Sequence, residues 1–182
     1  MTDIPGIHSR DKDERWLAFE TLLAWAEATV RQGARLESAR SRWRRPSRAT
    51  SSDELRVEAH DRRFGCHTFN TERHLFVDTA WKLIEHRKWV GTLGLFDNDV
   101  FRELDTFESD VHSLKDIQEQ AMEYFDIGAE HIDRWVHQLE GGTSSTLVET
   151  GMHLDYVAIA QMAERLCKIL YEISPSSAEA TT

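Results

Sequence analysis

The stretch that decides the fold is residues 97–125, DNDVFRELDTFESDVHSLKDIQEQAMEYF. Its apolar residues recur at alternating steps of four and three, and only Gln118 interrupts a series made of Val100, Leu104, Phe107, Val111, Leu114, Ala121 and Phe125. This spacing places one apolar seam along a helix, which is typical of a helix that packs lengthwise against other helices. No Pro or Gly lies inside the stretch, so the sequence predicts one long central helix.

The segments on either side carry similar helical patterns. The sequence predicts a first helix from residue 11 or 13 to about residue 42, a strongly apolar second helix from residues 68–71 to about residue 90, and a last helix that ends at residue 173. Short helices are predicted at 53–63, where Gly65 would end the helix, and near 132–139. Thr146 and Glu149 have the spacing of a capping box ahead of the last helix. These patterns predict an all-α, up-and-down bundle of four main helices plus one or two short helices.

The length of 182 residues is most simply one domain. We predict a flexible N-terminus at 1–10, a single helical-bundle domain at 11–173 and a disordered tail at 174–182. No stretch approaches the roughly 20 apolar residues that a membrane span needs, and the start resembles no secretory signal. The two cysteines, Cys66 and Cys167, lie far apart in the sequence, and Cys167 falls on an apolar stripe of the last helix. We therefore expect a cytoplasmic protein with reduced thiols and no membrane partner.

The net charge of −10 is unevenly distributed along the chain. Between positions 31 and 63 ten arginines face five acidic residues, so this window carries +5 and the remainder carries −15. The segment 40–48, RSRWRRPSR, mixes cations with an aromatic residue, which suits phosphate neutralisation and base stacking. Its candidate nucleic-acid-binding residues are Arg40, Arg42, Trp43, Arg44, Arg45 and Arg48. The alternative is that these arginines pair with the acidic stretch 97–126, within the chain or across a dimer.

Nine histidines raise the question of a metal site. No Glu lies three residues before any of them, so the Glu-x-x-His signature of di-iron bundles is missing from the sequence. The best remaining sets are His74 with Asp78 and Asp133 with His137, and each supplies only two ligands. The sequence also contains neither of the glycine-rich phosphate-binding motifs. We therefore expect no metal and no cofactor.

The segment 112–125, HSLKDIQEQAMEYF, together with the order of the helices, resembles the HEPN superfamily of helical bundles over about residues 69–173. The motif of that family is an Arg followed by a polar residue, then a His after four to six intervening positions. Lys115, Asp116 and Gln120 occupy these three positions. The resemblance implies a homodimer in which two motifs form one RNA-cutting cleft. Many members of the family are ribonucleases of toxin–antitoxin and other defence systems.

Two of the three motif positions depart from the family. Glutamine does not titrate, so Gln120 cannot move the proton that a histidine would move. Lysine keeps the positive charge but lacks the planar fork with which arginine binds two phosphate oxygens. The resemblance therefore implies a non-catalytic RNA- or partner-binding subunit of a defence or toxin–antitoxin type system. Its protein partner would be one such as a nucleotidyltransferase or a toxin.

Two other functions stay open at this point. A literal Arg-x4-His occurs at Arg62 and His67, and it would make the chain a metal-independent ribonuclease. Chance alone gives about 2.5 such matches in a chain of this composition, so the spacing by itself carries no weight. The other alternative is a purely structural protein-interaction bundle with no nucleic-acid role.

Overall fold

The computed structural model describes residues 7–43, 50–95, 99–125, 146–149 and 152–173. In chain order the elements are α1 (Ile7–Trp43), α2 (Ser52–Thr92), α3 (Asp99–Asp105), α4 (Glu108–Phe125), β1 (Thr146–Glu149), β2 (Met152–Asp155) and α5 (Tyr156–Ile173). Within these residues the structure consists mainly of four long helices and one short helix. This confirms the predicted all-α bundle. The only departure in class within these ranges is a small hairpin between α4 and α5.

The helices pack around one apolar core. Helix α1 lies along both α2 and α5, α4 lies along α2, and α3 contacts α5. The largest fully buried side chains come from all of these helices and from β2, and they include Leu22, Leu36, Phe76, Leu83, Ile84, Leu104, Leu114, Leu154, Tyr156, Ile159, Leu166 and Leu170. Cys167 is also buried, as its place on the apolar stripe predicts, and burial raises the pKa of its thiol to about 11.

A glycine permits the closest approach of α1 to α5. A Cβ atom added at Gly33 would lie 2.8 Å from the Cβ of Ala160, which is closer than two carbon atoms can pack. The alanine methyl group is fixed to the backbone of α5 and cannot rotate away. Helix α1 continues through Gly33, because the close packing of α5 offsets the low helix propensity of glycine.

Helix α2 is longer than the sequence predicts. The short helix expected at 53–63 and the main helix after it form one uninterrupted helix of 41 residues. Gly65 does not end it, because a single glycine costs a helix only about 1 kcal/mol. A capping box starts it: the amide of Glu54 donates to Ser51 Oγ at 3.3 Å, and the amide of Ser51 donates to Glu54 Oε2 at 3.1 Å.

The central helix predicted at 97–125 is divided by a turn at Thr106 and Phe107. The Thr106 hydroxyl donates to the carbonyl of Glu103 at 2.6 Å, and this side-chain bond competes with the helical backbone pattern. The amide of Phe107 donates to Leu104 at 3.1 Å, a tighter turn than an α-helix makes. The apolar seam nevertheless faces inward on both sides of the turn, since Leu104 and Val111 are buried.

The capping box predicted at Thr146 and Glu149 is wrong. Both residues lie in β1, which pairs antiparallel with β2 so that Thr146 faces Asp155. Helix α5 begins only at Tyr156, where Asp155 Oδ1 accepts from the amides of Val157 at 3.1 Å and Ala158 at 3.0 Å. The residue that caps α5 is therefore Asp155 and not Thr146.

Two further predictions concern the ends of elements. Helix α1 begins at Ile7, ahead of the predicted start at residue 11 or 13, and it ends at Trp43 close to the predicted position. The helix predicted at 132–139 and the tail at 174–182 lie outside the described residues. Within the described ranges, no helix combines the length and the apolar character needed to cross a membrane.

Candidate functional site

The motif helix α4 turns one face to the core and the other to solvent. Val111, Leu114 and Gln118 are buried, whereas Asp116 is exposed. Position 120 lies one turn beyond Asp116 on the same outward face, and the side chain of Gln120 is outside the described part of the structure. Two of the three motif positions are therefore presented away from the bundle.

Lys115, the third motif residue, is held against α2. Its ammonium donates to Asp78 Oδ1 at 2.6 Å and lies 3.2 Å from Glu119 Oε1. The same ammonium lies 5.7 Å from the centre of the Trp81 ring, within the range of a cation–π interaction. The hydrogen bond to Asp78, followed by that to Glu119, raises the pKa of Lys115. Lys115 is thus a permanently charged contact between α4 and α2.

A histidine lies one helical turn before Asp78 in the same contact. Gln118, the buried polar residue that interrupts the apolar seam of α4, lies beside His74 and opposes the lowering of its pKa. Burial lowers the pKa of His74, and the neighbouring charge of Arg73 lowers it further. The interruption at Gln118 therefore marks a buried polar contact between the two helices.

The predicted metal sets gain no further ligands from the fold. Asp78 is bonded to Lys115, and no group of three or more metal-binding side chains forms within the ranges described above. Asp133 and His137 lie outside the described residues.

The acidic residues of α3 and α4 find partners mainly on α2. Lys88 contacts Glu85 at 3.0 Å and Glu108 at 2.6 Å, and these carboxylates raise the pKa of Lys88. Arg87 donates to Asp105 at 2.6 Å. The acidic stretch was expected as one partner of the arginines at 40–48, but these described contacts come from the C-terminal half of α2 instead.

Arg40 was expected to contact nucleic acid, and it is buried. Its guanidinium donates to Tyr156 Oη at 3.0 Å and to Glu37 Oε2 at 3.2 Å, and the Tyr156 hydroxyl donates to the same carboxylate. The hydrogen bond from Tyr156 lowers the pKa of Glu37 most, and the charge of Arg40 adds to this effect. This network joins the end of α1 to the start of α5, so Arg40 is not available to a phosphate.

The rest of the arginine-rich segment is described only in part. Arg42 is exposed, and its guanidinium donates to the carbonyl of Ser38 at 3.3 Å. The side chain of Trp43 and the whole of Arg44, Arg45 and Arg48 lie outside the described residues.

The alternative pair, Arg62 and His67, lies on one uninterrupted helix. His67 is exposed, and the side chain of Arg62 is outside the described part. Positions five apart on an α-helix lie about 140° apart around its axis. The same rotation separates positions 115 and 120 on α4. Within one chain, neither pair therefore lies on a single helix face.

Beyond the core, α1 and α2 continue as a projection that we call the arm, defined as residues 41–43 of α1 and 52–68 of α2. Every described side chain between positions 41 and 68 is exposed or half-buried, and Phe69 is the first buried residue of α2. Seventeen helical residues span roughly 25 Å. This projection was not predicted, because a helix end at Gly65 was expected instead.

Comparisons of the chain with protein-family models, with curated proteins and with solved structures each found no match. The likeness to HEPN proteins therefore rests on the residues at 112–125 and on the order of the helices.

Proposed function

We propose that this chain is a non-catalytic, HEPN-like bundle that acts in the cytoplasm as an RNA- or partner-binding subunit of a defence or toxin–antitoxin type system. The observation that carries the proposal is the state of Lys115. Its ammonium is engaged by Asp78 and Glu119 and lies beside Trp81, so it serves the α2–α4 contact. A lysine used in this way is not free to stabilise the charge of a phosphate in a transition state.

The side chains around Lys115, Asp116 and position 120 also support a non-catalytic role. Metal-independent RNA cleavage needs one group to accept the proton of the 2′-hydroxyl and another to protonate the leaving oxygen. An amide at position 120 can do neither.

Two histidines lie near the motif. His74, on α2, is half-buried beside Gln118. His112 lies one turn before Asp116 on α4, and its Nε2 is 3.2 Å from Glu85 Oε1, so it is engaged in the contact between α4 and α2.

The outward face of α4 supports a binding role. Asp116 and Glu119 are exposed there, and Ile117 beside them is half-buried. The packing of the core does not use this face. A second copy of the chain, or a protein partner such as a nucleotidyltransferase or a toxin, would bind there. A homodimer through this face is part of the proposal.

The test is an RNA cleavage assay in the presence of a metal chelator, using a labelled single-stranded RNA. We expect no cleavage by the wild-type protein above the level of buffer alone. The matched control is His67→Ala, which removes the exposed histidine of the alternative ribonuclease site. Cleavage by the wild type that disappears in His67→Ala would contradict the proposal and support the ribonuclease instead.

A further inference from the structure

One side of the arm has the residue spacing of a helix that packs lengthwise against a single partner helix. Positions 57, 60, 64 and 67 of α2 follow steps of three, four and three, and we call these four residues the arm stripe. Its apolar members, Val57 and Phe64, are 62% and 69% exposed, and His60 and His67 are exposed as well. Most of the stability of a helix in a protein comes from the packing of such a stripe. The described part of this chain leaves the arm stripe uncovered.

The arm as a whole is electrically neutral, whereas the rest of the chain is acidic. Its four arginines and four acidic residues are Arg42, Arg56, Arg62, Arg63, Asp53, Glu54, Glu58 and Asp61. The net charge of −10 therefore belongs to the remainder of the chain. Two copies of the chain repel each other through that remainder, and the repulsion is weakest where their neutral arms meet. A strongly charged ligand gains nothing from a neutral arm, but a second copy of the chain does.

The charges that flank the arm stripe are sorted by side. Arg56 and position 63, also an arginine, lie along one flank, and Glu54 and Asp61 lie along the other. In a parallel pair of helices opposite flanks meet, so position 56 of one helix lies beside position 61 of the other. In an antiparallel pair like flanks would meet, and acid would face acid. Asp61 Oδ1 lies 3.9 Å from Nδ1 of His60 in its own chain, beyond hydrogen-bonding distance, so its exposed carboxylate can accept from a partner.

The residues before and after the arm stripe set the length of the surface. Asp53 lies one turn before Val57 and would face its own counterpart in a parallel pair, so the contact begins at Val57. Leu75 lies eighteen residues after Val57, on the same line of the helix, and is 44% exposed. One turn later Asp78 is bonded to Lys115 of α4 at 2.6 Å. The exposed line therefore runs for roughly 27 Å along α2, up to the border of α4.

We propose that the arm pairs in parallel with the arm of a second copy of the chain, about a two-fold axis that runs along the arm stripe. Val57 and Phe64 pack against their counterparts, and Arg56 of each copy bonds to the partner's Asp61. This inference goes beyond the proposed function, because it places the contact on α2 and requires neither the outward face of α4 nor the loss of RNA cleavage.

The experiment is sedimentation velocity of the full chain over a series of protein concentrations, which gives the dissociation constant of the dimer. Phe64→Ala is expected to raise this constant by about 30-fold or more, because an aromatic side chain at the centre of an interface carries a large share of the binding energy. The matched control is Leu55→Ala, since position 55 lies about 180° from position 64 around the helix and Leu55 is 55% exposed. It should bind within twofold of the wild type, and circular dichroism should show unchanged helix content in both variants.

A charge exchange tests the parallel direction. Arg56→Glu and Asp61→Arg should each raise the dissociation constant by about 3- to 10-fold, because the exchange makes two symmetry-related ion pairs repulsive. The double variant, with both substitutions in one chain, restores opposite charges between positions 56 and 61 of a parallel pair. Its dissociation constant should return to within twofold of the wild type.

Three outcomes would overturn the inference: a wild type that is monomeric at every concentration, equal constants for Phe64→Ala and Leu55→Ala, or no recovery in the double charge variant. Asp116→Arg, on the outward face of α4, separates the inference from the proposed function. A dimer that is lost in Asp116→Arg and kept in Phe64→Ala would overturn the pairing of the arms and leave the proposed function intact. Cleavage of RNA in the chelator assay would overturn the proposed function and leave the pairing of the arms intact.

Discussion

Two regions of the same pair of helices differ sharply in how they use their side chains. In the packed region, residues 18–40 of α1 and 69–90 of α2 bury apolar side chains against each other and against α4 and α5. In the arm, the same two helices continue without a break, and the described large apolar residues of α2 face solvent. Local sequence is enough to make either region helical, but only the partners of a helix decide which of its residues become core.

The arginines show the same difference at closer range. Arg40 and Arg42 are two residues apart near the end of α1, yet one is buried against Tyr156 and the other is exposed. Residues two apart on a helix lie about 200° apart around its axis, so at the boundary between the packed region and the arm Arg40 faces α5 while Arg42 faces away from it. Substitutions on the two sides of this boundary should have unequal effects on stability.

The largest expected difference is between two phenylalanines of α2. Phe76 is fully buried, and its ring packs edge-on against Tyr156 with a centroid distance of 5.9 Å. Phe76→Ala should lower the free energy of unfolding by about 3–5 kcal/mol, because it leaves a cavity in the core. The control Phe64→Ala, on the arm, should change it by less than about 0.5 kcal/mol. Urea unfolding at protein concentrations where the chain is monomeric, followed by circular dichroism, measures both values, and equal losses would show that the arm is packed within one copy of the chain.

A smaller difference is expected between the two arginines. Arg40→Met removes charge-assisted hydrogen bonds to Tyr156 and Glu37 and should cost about 2 kcal/mol of unfolding free energy. Arg42→Met, in the exposed control position, should cost less than about 0.5 kcal/mol. Thermal and urea unfolding of the two variants measure the difference. If Arg40→Met were as stable as Arg42→Met, the network with Tyr156 would contribute nothing.

The smallest effect expected is a dependence on pH that His74 gives to the packed region. Its pKa is lowered in the folded protein by burial and by Arg73 and Lys115, while Asp78 and Gln118 oppose the shift. The unfolded chain therefore binds the proton first as the pH falls below the ordinary histidine value, and stability decreases until the lowered pKa is passed. His74→Gln should flatten the curve of unfolding free energy between pH 7 and pH 5.

The control for this measurement is His67→Gln, since His67 is exposed on the arm of the same helix. Its curve should keep the slope of the wild type over the same pH range. A wild-type curve without slope, or a slope that survives in His74→Gln, would show that another group produces the dependence.

Much of the fold could be predicted from periodicity. The seam at 97–125 marks Leu104, Val111 and Leu114, and all three are buried. The turn at Thr106 could not be predicted, because a threonine hydroxyl bonds to a preceding carbonyl inside helices as well as at their ends. The hairpin was missed for a similar reason, since a Thr-x-x-Glu pattern fits both a helix start and a short strand.

Less of the candidate site could be predicted. Helix periodicity alone indicates that Asp116 and position 120 share a face. The partner of Lys115 is Asp78, 37 residues earlier in the chain, and the partner of Arg40 is Tyr156, 116 residues later. Contacts over such separations depend on how the helices pack, and a single sequence carries no local signal for them.

The unbroken course of α2 has a mechanical consequence. Since one rigid rod carries both Asp78 and the far tip at Ser52, any tilt of the rod within the bundle is magnified along its free length. A molecule bound at the tip would therefore exert a larger torque on the contact between α2 and α4 than one bound near Asp78. Binding at the tip of α2 would in this way displace the contact between Asp78 and Lys115, with no hinge or moving loop between the two places.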